Sequence, residues 1–320
     1  MIIDFSSHLI SRRVGKIIQK AGWYGDGCHI EYPHNNGDPE VRLALMEKYN
    51  VDMQALSQTA PVIMGFNPEE AAEICRLSND DNYALCKAYP KKFVNICMMS
   101  LQDVKSAMKE LDRAVNELDC RAITLGSNQN GKGLDSEEFY PFYEKVIEYD
   151  LPIFIHAVNW EGYPLVETVK GWRNMFVLGW IYDESTAMFR LVLSGTIDRF
   201  PEMKVVMHHM GGMFPYFRAR IELQIRVSLQ HRLKKGKDIQ EYWKNFYGDT
   251  AVDGNPSSYP CGLAFFGPDR LVFGTDAPFG AEEGEFFYRE DLAGVRTMKI
   301  PDKDMQKILS GNAKKLLKIK

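Results

Sequence analysis

The chain is poor in several features that would have placed it at once. Its six cysteines, Cys28, Cys75, Cys86, Cys97, Cys120 and Cys261, include no Cys-x-x-Cys pair and are too sparse for a disulfide scaffold. They read as free thiols of a reducing cytoplasm. No apolar run approaches the roughly 18–20 residues of a membrane span. Residues 2–5 enter a strand directly rather than a signal peptide, so a cytoplasmic location with no membrane partner is expected. Positive charge is not in excess: 39 Lys and Arg stand against 43 Asp and Glu, a net charge of −4, which argues against a nucleic-acid partner. No Gly-x-Gly-x-x-Gly follows any strand-like run, so a dinucleotide-binding open sheet lacks its fingerprint. Internal repeats and low-complexity segments are absent as well.

What is present is an ordinary globular composition, 45% hydrophobic and 26% charged, in a length that suits two modest domains or one α/β barrel. Pro152-Ile153-Phe154-Ile155-His156 organises the rest. Four residues led by a proline are too few for a helix and suit a strand buried on both faces, with a histidine at its C-terminal end. Three other strand-like runs end in similar chemistry. Residues 2–5 lead into Ser6-Ser7-His8, residues 205–207 into His208-His209, and residues 271–274 into Thr275-Asp276.

In chain order the pattern predicts strands at 2–5, 51–56, 93–98, 122–125, 152–156, 203–208, 247–250 and 270–275. Between them, helices are expected at 39–49 behind an Asp38-Pro39-Glu40 cap, and at 68–88, 102–118, 136–149, 184–198 and 214–232. A last helical region, 304–317, should break at Gly311. Eight strands alternating with helices give a single (β/α)8 TIM barrel over residues 1–320, with its chemistry at the strands' C-terminal ends. Residues 9–40 read as a cap inserted after the first strand, helical over 9–20 and rich in Gly, Asn, Pro, His and aromatics over 21–40. Cys28-His29 lies in it, a candidate reactive pair against which stands the divergence of adjacent side chains. Residues 157–180 carry Trp160, Trp172 and Trp180, and a connection this long reads as a lid or binding loop, with Trp160 a candidate substrate contact.

On this plan His8, His156, His209 and Asp276 meet at one mouth. Neutral imidazoles with a carboxylate suit Zn²⁺ or a similar divalent ion with one open position. His209 is either a further ligand or the acid/base. Strand alternation sends His208 and His209 to opposite faces, one to the site and one into the barrel–helix layer. Gly211-Gly212 either lets backbone approach a substrate or only makes a tight turn. Arg42 and Arg220, on predicted helices, are solvated cations or forks for a substrate carboxylate.

Several motifs together resemble one family: Asp38-Pro39-Glu40-Val41-Arg42, Gln54-Ala55-Leu56-Ser57, Asn79-Asp80, Phe154-Ile155-His156, His209-Met210-Gly211-Gly212 with Phe214-Pro215, Gly274-Thr275-Asp276 with Pro278-Phe279, and Gly311-Asn312-Ala313. The chain is similar, nearly end to end, to the amidohydrolase-related decarboxylases (amidohydrolase family 2), and among them to the α-amino-β-carboxymuconate-ε-semialdehyde decarboxylases. The resemblance implies a (β/α)8 barrel, a zinc or similar divalent ion and non-oxidative loss of CO2. It carries metal ligation to His8, His156 and Asp276, acid/base duty to His209 with Asp276 beside it, and substrate-carboxylate binding to Arg42 and Arg220. Arg220 comes from the neighbouring subunit in that family, which implies a homodimer. One departure stands out. The family's Asp-x-His-x-His, or its variant with a glutamate, is here Asp4-Phe5-Ser6-Ser7-His8, so Ser6 occupies the first ligand's place. A serine hydroxyl is a poor zinc ligand. The metal is then held by three ligands, or is a weaker or different ion such as Mn²⁺, or has been lost.

The expected function is a metal-dependent decarboxylase of a small unsaturated or aromatic carboxylic acid. The alternatives are hydrolysis of a C–C or lactone bond, or hydration of a double bond, on the same scaffold, and a non-catalytic binding protein.

Overall fold

Eight short strands pair in parallel in the order in which they occur: β1 (Ile3–His8), β2 (Met53–Ser57), β3 (Phe93–Met98), β4 (Ala122–Gly126), β5 (Ile153–His156), β6 (Val205–Met207), β7 (Phe246–Asp249) and β8 (Leu271–Val272). The computed structural model describes residues 1–20, 38–158, 178–279 and 282–319. The segment after β8 returns to β1. Phe5 N donates to Phe273 O, Asp276 N to Ser6 O and His8 N to Ala277 O, each at 2.8 Å, and these bonds close the barrel. Nearly every strand residue is buried, as in a sheet covered on both faces. The barrel interior holds Ile3, Phe5, Ala55, Ile96, Phe154 and Val206, with Phe5 and Phe154 edge to face at 5.8 Å.

The described helices are α1 (Arg12–Lys20), α2 (Pro39–Tyr49), α3 (Pro68–Ala88), α4 (Val104–Glu117), α5 (Tyr140–Glu148), α6 (Trp180–Leu193), α7 (Thr196–Arg199), α8 (Phe214–Gln224), α9 (Ile239–Tyr242), α10 (Ser258–Phe266), α11 (Glu285–Arg296), α12 (Asp302–Gln306) and α13 (Asn312–Leu317). Local sequence fixes several starts. The Asp38 carboxylate accepts from Glu40 N at 2.9 Å at the head of α2. Asn67 and Glu70 cap each other's backbone at the head of α3, behind Pro68. None of the described helices is long and apolar enough to cross a membrane.

The (β/α)8 expectation is met, with differences that matter for the site. β6 stops at Met207 rather than 208, and the ladder of β8 covers 271–272 rather than 270–275. α6 begins at Trp180, four residues earlier than its apolar spacing suggests, and ends at Leu193 before the separate turn of α7. The helix expected over 214–232 is α8 to Gln224, then a π-turn over Ile225–Leu229 and a 3-10 turn. The break expected at Gly311 is a π-turn over Lys307–Gly311. α10 and α11 were not foreseen. Pro260 and Gly262 weaken helix propensity in α10, and burial of Tyr259, Phe265 and Phe266 overrides it. Of the expected cap, α1 and the start of α2 are described; Cys28, His29, Trp160 and Trp172 lie outside the described residues.

Candidate active site

The C-terminal ends of β1, β5 and β6 and the segment after β8 bring together His8, His156, His208 and Asp276. One potential donor atom from each lies within 4.8 Å of all the others. The ring centroids of the three histidines are 4.9–5.4 Å apart. Each ring has its Nδ1 occupied. His8 Nδ1 pairs with Ser57 Oγ at 3.0 Å, His156 Nδ1 donates to Ala157 O at 2.7 Å, and His208 Nδ1 donates to the Asp249 carboxylate. These contacts orient the rings and turn the three Nε2 atoms to the common space. His8 Nε2 is buried without a hydrogen-bond partner, although it lies 3.0 Å from Asp276 Oδ1. An orphaned buried group of this kind costs about 1–3 kcal/mol. A lone pair and a carboxylate facing one point are satisfied together by a cation, so the residues fit a divalent metal ion.

The electrostatics agree. Burial pushes the His8 imidazolium down, and His156 further, which favours the neutral rings that ligate a cation. Burial opposes the charge on Asp276, yet the imidazoles of His208, His209 and His8 set around it hold its carboxyl well below the usual range. His208 is depressed by burial and by His209, but Asp249 and Asp276 outweigh both and bring it to about 9. Asp276 itself has φ 62°, a left-handed conformation that costs a non-glycine residue on the order of 1 kcal/mol and is held here by its neighbours.

The expectation that His208 and His209 face opposite ways is corrected. It presumes a strand through both, but β6 has ended. His208 is still extended (φ −67°, ψ 165°), whereas His209 (φ 45°) and Met210 (φ 56°) are left-handed. Both rings therefore turn to the mouth, their centroids 3.8 Å apart, and neither enters the barrel–helix layer. Gly211 and Gly212 continue the turn at φ 76° and 62°. A Cβ on Gly212 would collide with the Ile181 carbonyl, so this glycine lets the turn press against α6. The contact brings Glu184 beside His209, with Oε1 3.0 Å from Nδ1, and stacks the Trp180 ring on His209 at 6.2 Å and 17°. His209 Nε2 lies 3.8 Å from Asp276 Oδ2. Burial works against protonation of His209, but Glu184 and Asp276 raise it well above the ordinary value.

Ser6 does not point into the cluster; its hydroxyl donates to Asp249. Arg42 is buried, with Nη1 donating to Ser7 Oγ at 2.7 Å and Gln54 Oε1 at 3.1 Å and Nη2 to the His8 carbonyl. In these contacts it braces the end of β1. Arg220 is on the exposed side of α8, in a cavity of about 450 Å³ shared with Tyr182, Phe189, Phe217 and Ile221 and away from the cluster of its own chain. Trp160 lies outside the described residues. Two residues were missed by sequence reasoning. Asp249 ends a strand, which was a usable signal. Glu184 sits inside a helix and gave none.

The sequence profile of the amidohydrolase family matches residues 3–319. The chain belongs to that family. It is 27% identical to a 2-amino-3-carboxymuconate-6-semialdehyde decarboxylase of Dictyostelium discoideum, over 98% of this chain and 91% of the relative. It is 29% identical to a gamma-resorcylate decarboxylase of Rhizobium radiobacter, covering 88% and 87%. Among solved structures, 5-carboxyvanillate decarboxylase of Novosphingobium aromaticivorans, complexed with manganese and 4-hydroxy-3-methoxy-5-nitrobenzoic acid, superposes with a TM-score of 0.87. That match has 20% identity over 100% of this chain and 96% of the other, and it shows the shared fold.

Proposed function

We propose that this protein is a metal-dependent, non-oxidative decarboxylase of a small aromatic or unsaturated carboxylic acid. The observation that carries the reading is the Glu184–His209 pair set beside a buried cluster of three imidazoles and a carboxylate, in a chain whose matched relatives are decarboxylases. His8, His156 and Asp276 are the proposed ligands, with His208 adjoining them. A divalent ion held there supplies fixed positive charge that polarises and orients the oxygen atoms of a substrate. Imidazole-rich donors suit Zn²⁺, and Mn²⁺ is the second candidate because a solved relative holds it.

The chain's own groups supply the proton. As an imidazolium facing Glu184, His209 donates from Nε2 to the carbon that bears the carboxylate. A C–H bond forms there, the C–CO2 bond breaks, its electron pair restores the unsaturated system, and CO2 leaves. Solvent then returns a proton to His209. Asp276 steadies the Nε2 end of the ring and Glu184 the Nδ1 end. Trp180, stacked on the ring, shields that face from water. Arg42 contributes positive charge behind β1, and its contact with a substrate carboxylate is part of the proposal.

A homodimer completes the site in this reading. Arg220 faces outward among apolar side chains, and Tyr216, Leu223 and Val227 nearby are 78%, 56% and 67% exposed. A second copy covering this face would receive Arg220 at its own mouth, where it would hold the substrate carboxylate. The cytoplasmic location expected from the unpaired cysteines belongs to the same reading.

The test is product analysis with carboxyl-¹³C-labelled hydroxybenzoates and unsaturated dicarboxylates. Release of ¹³CO2 without ¹⁸O from labelled water in the organic product is the expected result. Incorporation of ¹⁸O would point instead to hydrolysis or hydration. Tight binding without turnover, indifferent to chelators, would point to a binding protein.

A further inference from the structure

Ser6 and His208, on opposite sides of the barrel mouth in sequence terms, meet on one oxygen. Asp249 Oδ2 accepts from the Ser6 hydroxyl and from His208 Nδ1. Its other oxygen accepts from Met210 N and Ala251 N, each at 3.3 Å. All four donors reach a carboxylate that is wholly buried at the end of β7. The Ser6 end is enclosed as well: a Cβ on Gly274 would lie 2.7 Å from Ser6 Oγ and 3.2 Å from Asp249 Cβ. His208 Nε2, at the far end of this chain of contacts, lies 3.3 Å from the Asp276 oxygen that also faces His8 Nε2.

The geometry points to a four-ligand metal site in which His208 is the third imidazole, aimed by a Ser6–Asp249–His208 relay, while Ser6 stays off the ion. The inference rests on the metal reading of the cluster given above. Its physical basis is the direction of hydrogen bonds. The two backbone N–H groups fix which way the Asp249 carboxylate faces. The Ser6 hydroxyl takes up a further lone pair. The remaining acceptor position then keeps a proton on His208 Nδ1, so that Nε2 is the nitrogen left to give up its proton and take a cation. Asp249 is thus a positioning residue and His208 a ligand. The left-handed turn at His209–Met210 stops β6 one residue short, so that His208 lies at the rim of the mouth instead of in the sheet.

Substitution of Asp249 should betray the relay. In Asp249→Asn the amide oxygen stays with the two backbone donors. The NH2 group then faces His208 Nδ1 and Ser6, forcing Nδ1 to accept and Nε2 to carry the proton. Metal affinity, measured by competition of Zn²⁺ with a chromophoric chelator, should fall about 10–100-fold, the usual effect of losing an orienting partner. His208→Gln should fall at least as far. Ser6→Ala, which leaves the His208–Asp249 bond in place, should lose less than about tenfold.

The wild-type protein offers a measurement that does not depend on any variant folding. In the Co²⁺-substituted protein each ligating imidazole shows one hyperfine-shifted, solvent-exchangeable Nδ1–H resonance. Three such signals are expected from His8, His156 and His208. Two signals, or unchanged Zn²⁺ affinity in a folded His208→Gln, would overturn the assignment of His208 while leaving a metal site in place. Failure of the wild-type protein to bind either ion would instead overturn the metal reading itself.

Discussion

Glu184 Oε1 lies 3.0 Å from His209 Nδ1, and no other hydrogen bond holds that ring nitrogen among the described residues. The carboxylate is buried, and its Oε2 has no partner. Burial raises the Glu184 carboxyl, while His209 opposes that rise. Replacing Glu184 by Gln removes the anion that sustains the imidazolium. The His209 pKa should fall, so the alkaline limb of the kcat–pH profile moves to lower pH and kcat drops about tenfold or more. Metal content should not change. A profile that keeps its limb would mean that Glu184 only fills space.

His209 itself is separable from the metal cluster. The four clustered donors do not include it, and its Nε2 is 3.8 Å from Asp276. His209→Ala should lower turnover by roughly 10²–10⁴, the range for a lost general acid, and leave one metal ion per chain by plasma mass spectrometry. Retained turnover would sink its proposed role.

Which parts of this were legible in the sequence follows from the range of the interactions. Ile153–His156 could be read because burial on both faces leaves an unbroken apolar run with a polar end. The α3 boundaries were readable too, since Asn67, Pro68 and Glu70 are local caps. The fate of His208 was not, because it depends on where β6 stops. That is set by the left-handed turn at residues 209–212 and the packing of Gly212 against Ile181, a contact across 31 residues. Asp249 and Glu184 were invisible as partners because a carboxylate's role depends on what lies across from it. Ser6 looked like a defect in isolation, and only its bond to Asp249 shows what the hydroxyl does.

Metal removal should show in stability as well as activity. A cation that binds only the folded chain stabilises it by about 2.7 kcal/mol at a hundred times its Kd. Dialysis against a chelator should therefore lower Tm by several degrees, and stoichiometric Zn²⁺ or Mn²⁺ should restore both Tm and turnover. An unchanged Tm with full activity would contradict the metal-dependent reading.

Away from the mouth, Asp291 gives a pH prediction. Its carboxyl is buried and accepts on Oδ1 from Gly254 N at 2.9 Å and Tyr259 OH at 2.8 Å, with Oδ2 unpartnered. Burial raises its pKa to about 8, against those bonds. The folded state therefore holds a proton that the unfolded chain releases near pH 4. The stabilising contribution is full below that pH and is lost as pH rises towards 8. Asp291→Asn removes this titration. The difference in unfolding free energy between the two proteins should shift in the variant's favour between pH 4 and 8 and level off above. A constant difference across the range would mean that Asp291 is ionised in the folded protein.

The dimer proposal makes a prediction that neither subunit alone can satisfy. Arg220→Ala leaves His209 and the cluster of its own chain untouched, because Arg220 lies on the outer side of α8. It should nevertheless raise KM and depress turnover by removing a carboxylate contact from the neighbouring mouth. Mixing this variant with His209→Ala under conditions of subunit exchange then regenerates activity. In a mixed pair, one mouth has an intact His209 from the Arg220→Ala chain and an intact Arg220 from its partner, while the other mouth lacks both. Half of the randomly exchanged dimers are mixed and each has one competent site, so activity should recover to about a quarter of the wild-type value. Recovery requires that the two side chains serve one site from different chains. If exchange is verified by mass spectrometry and activity stays at the level of the separate variants, Arg220 acts within its own subunit or not at all.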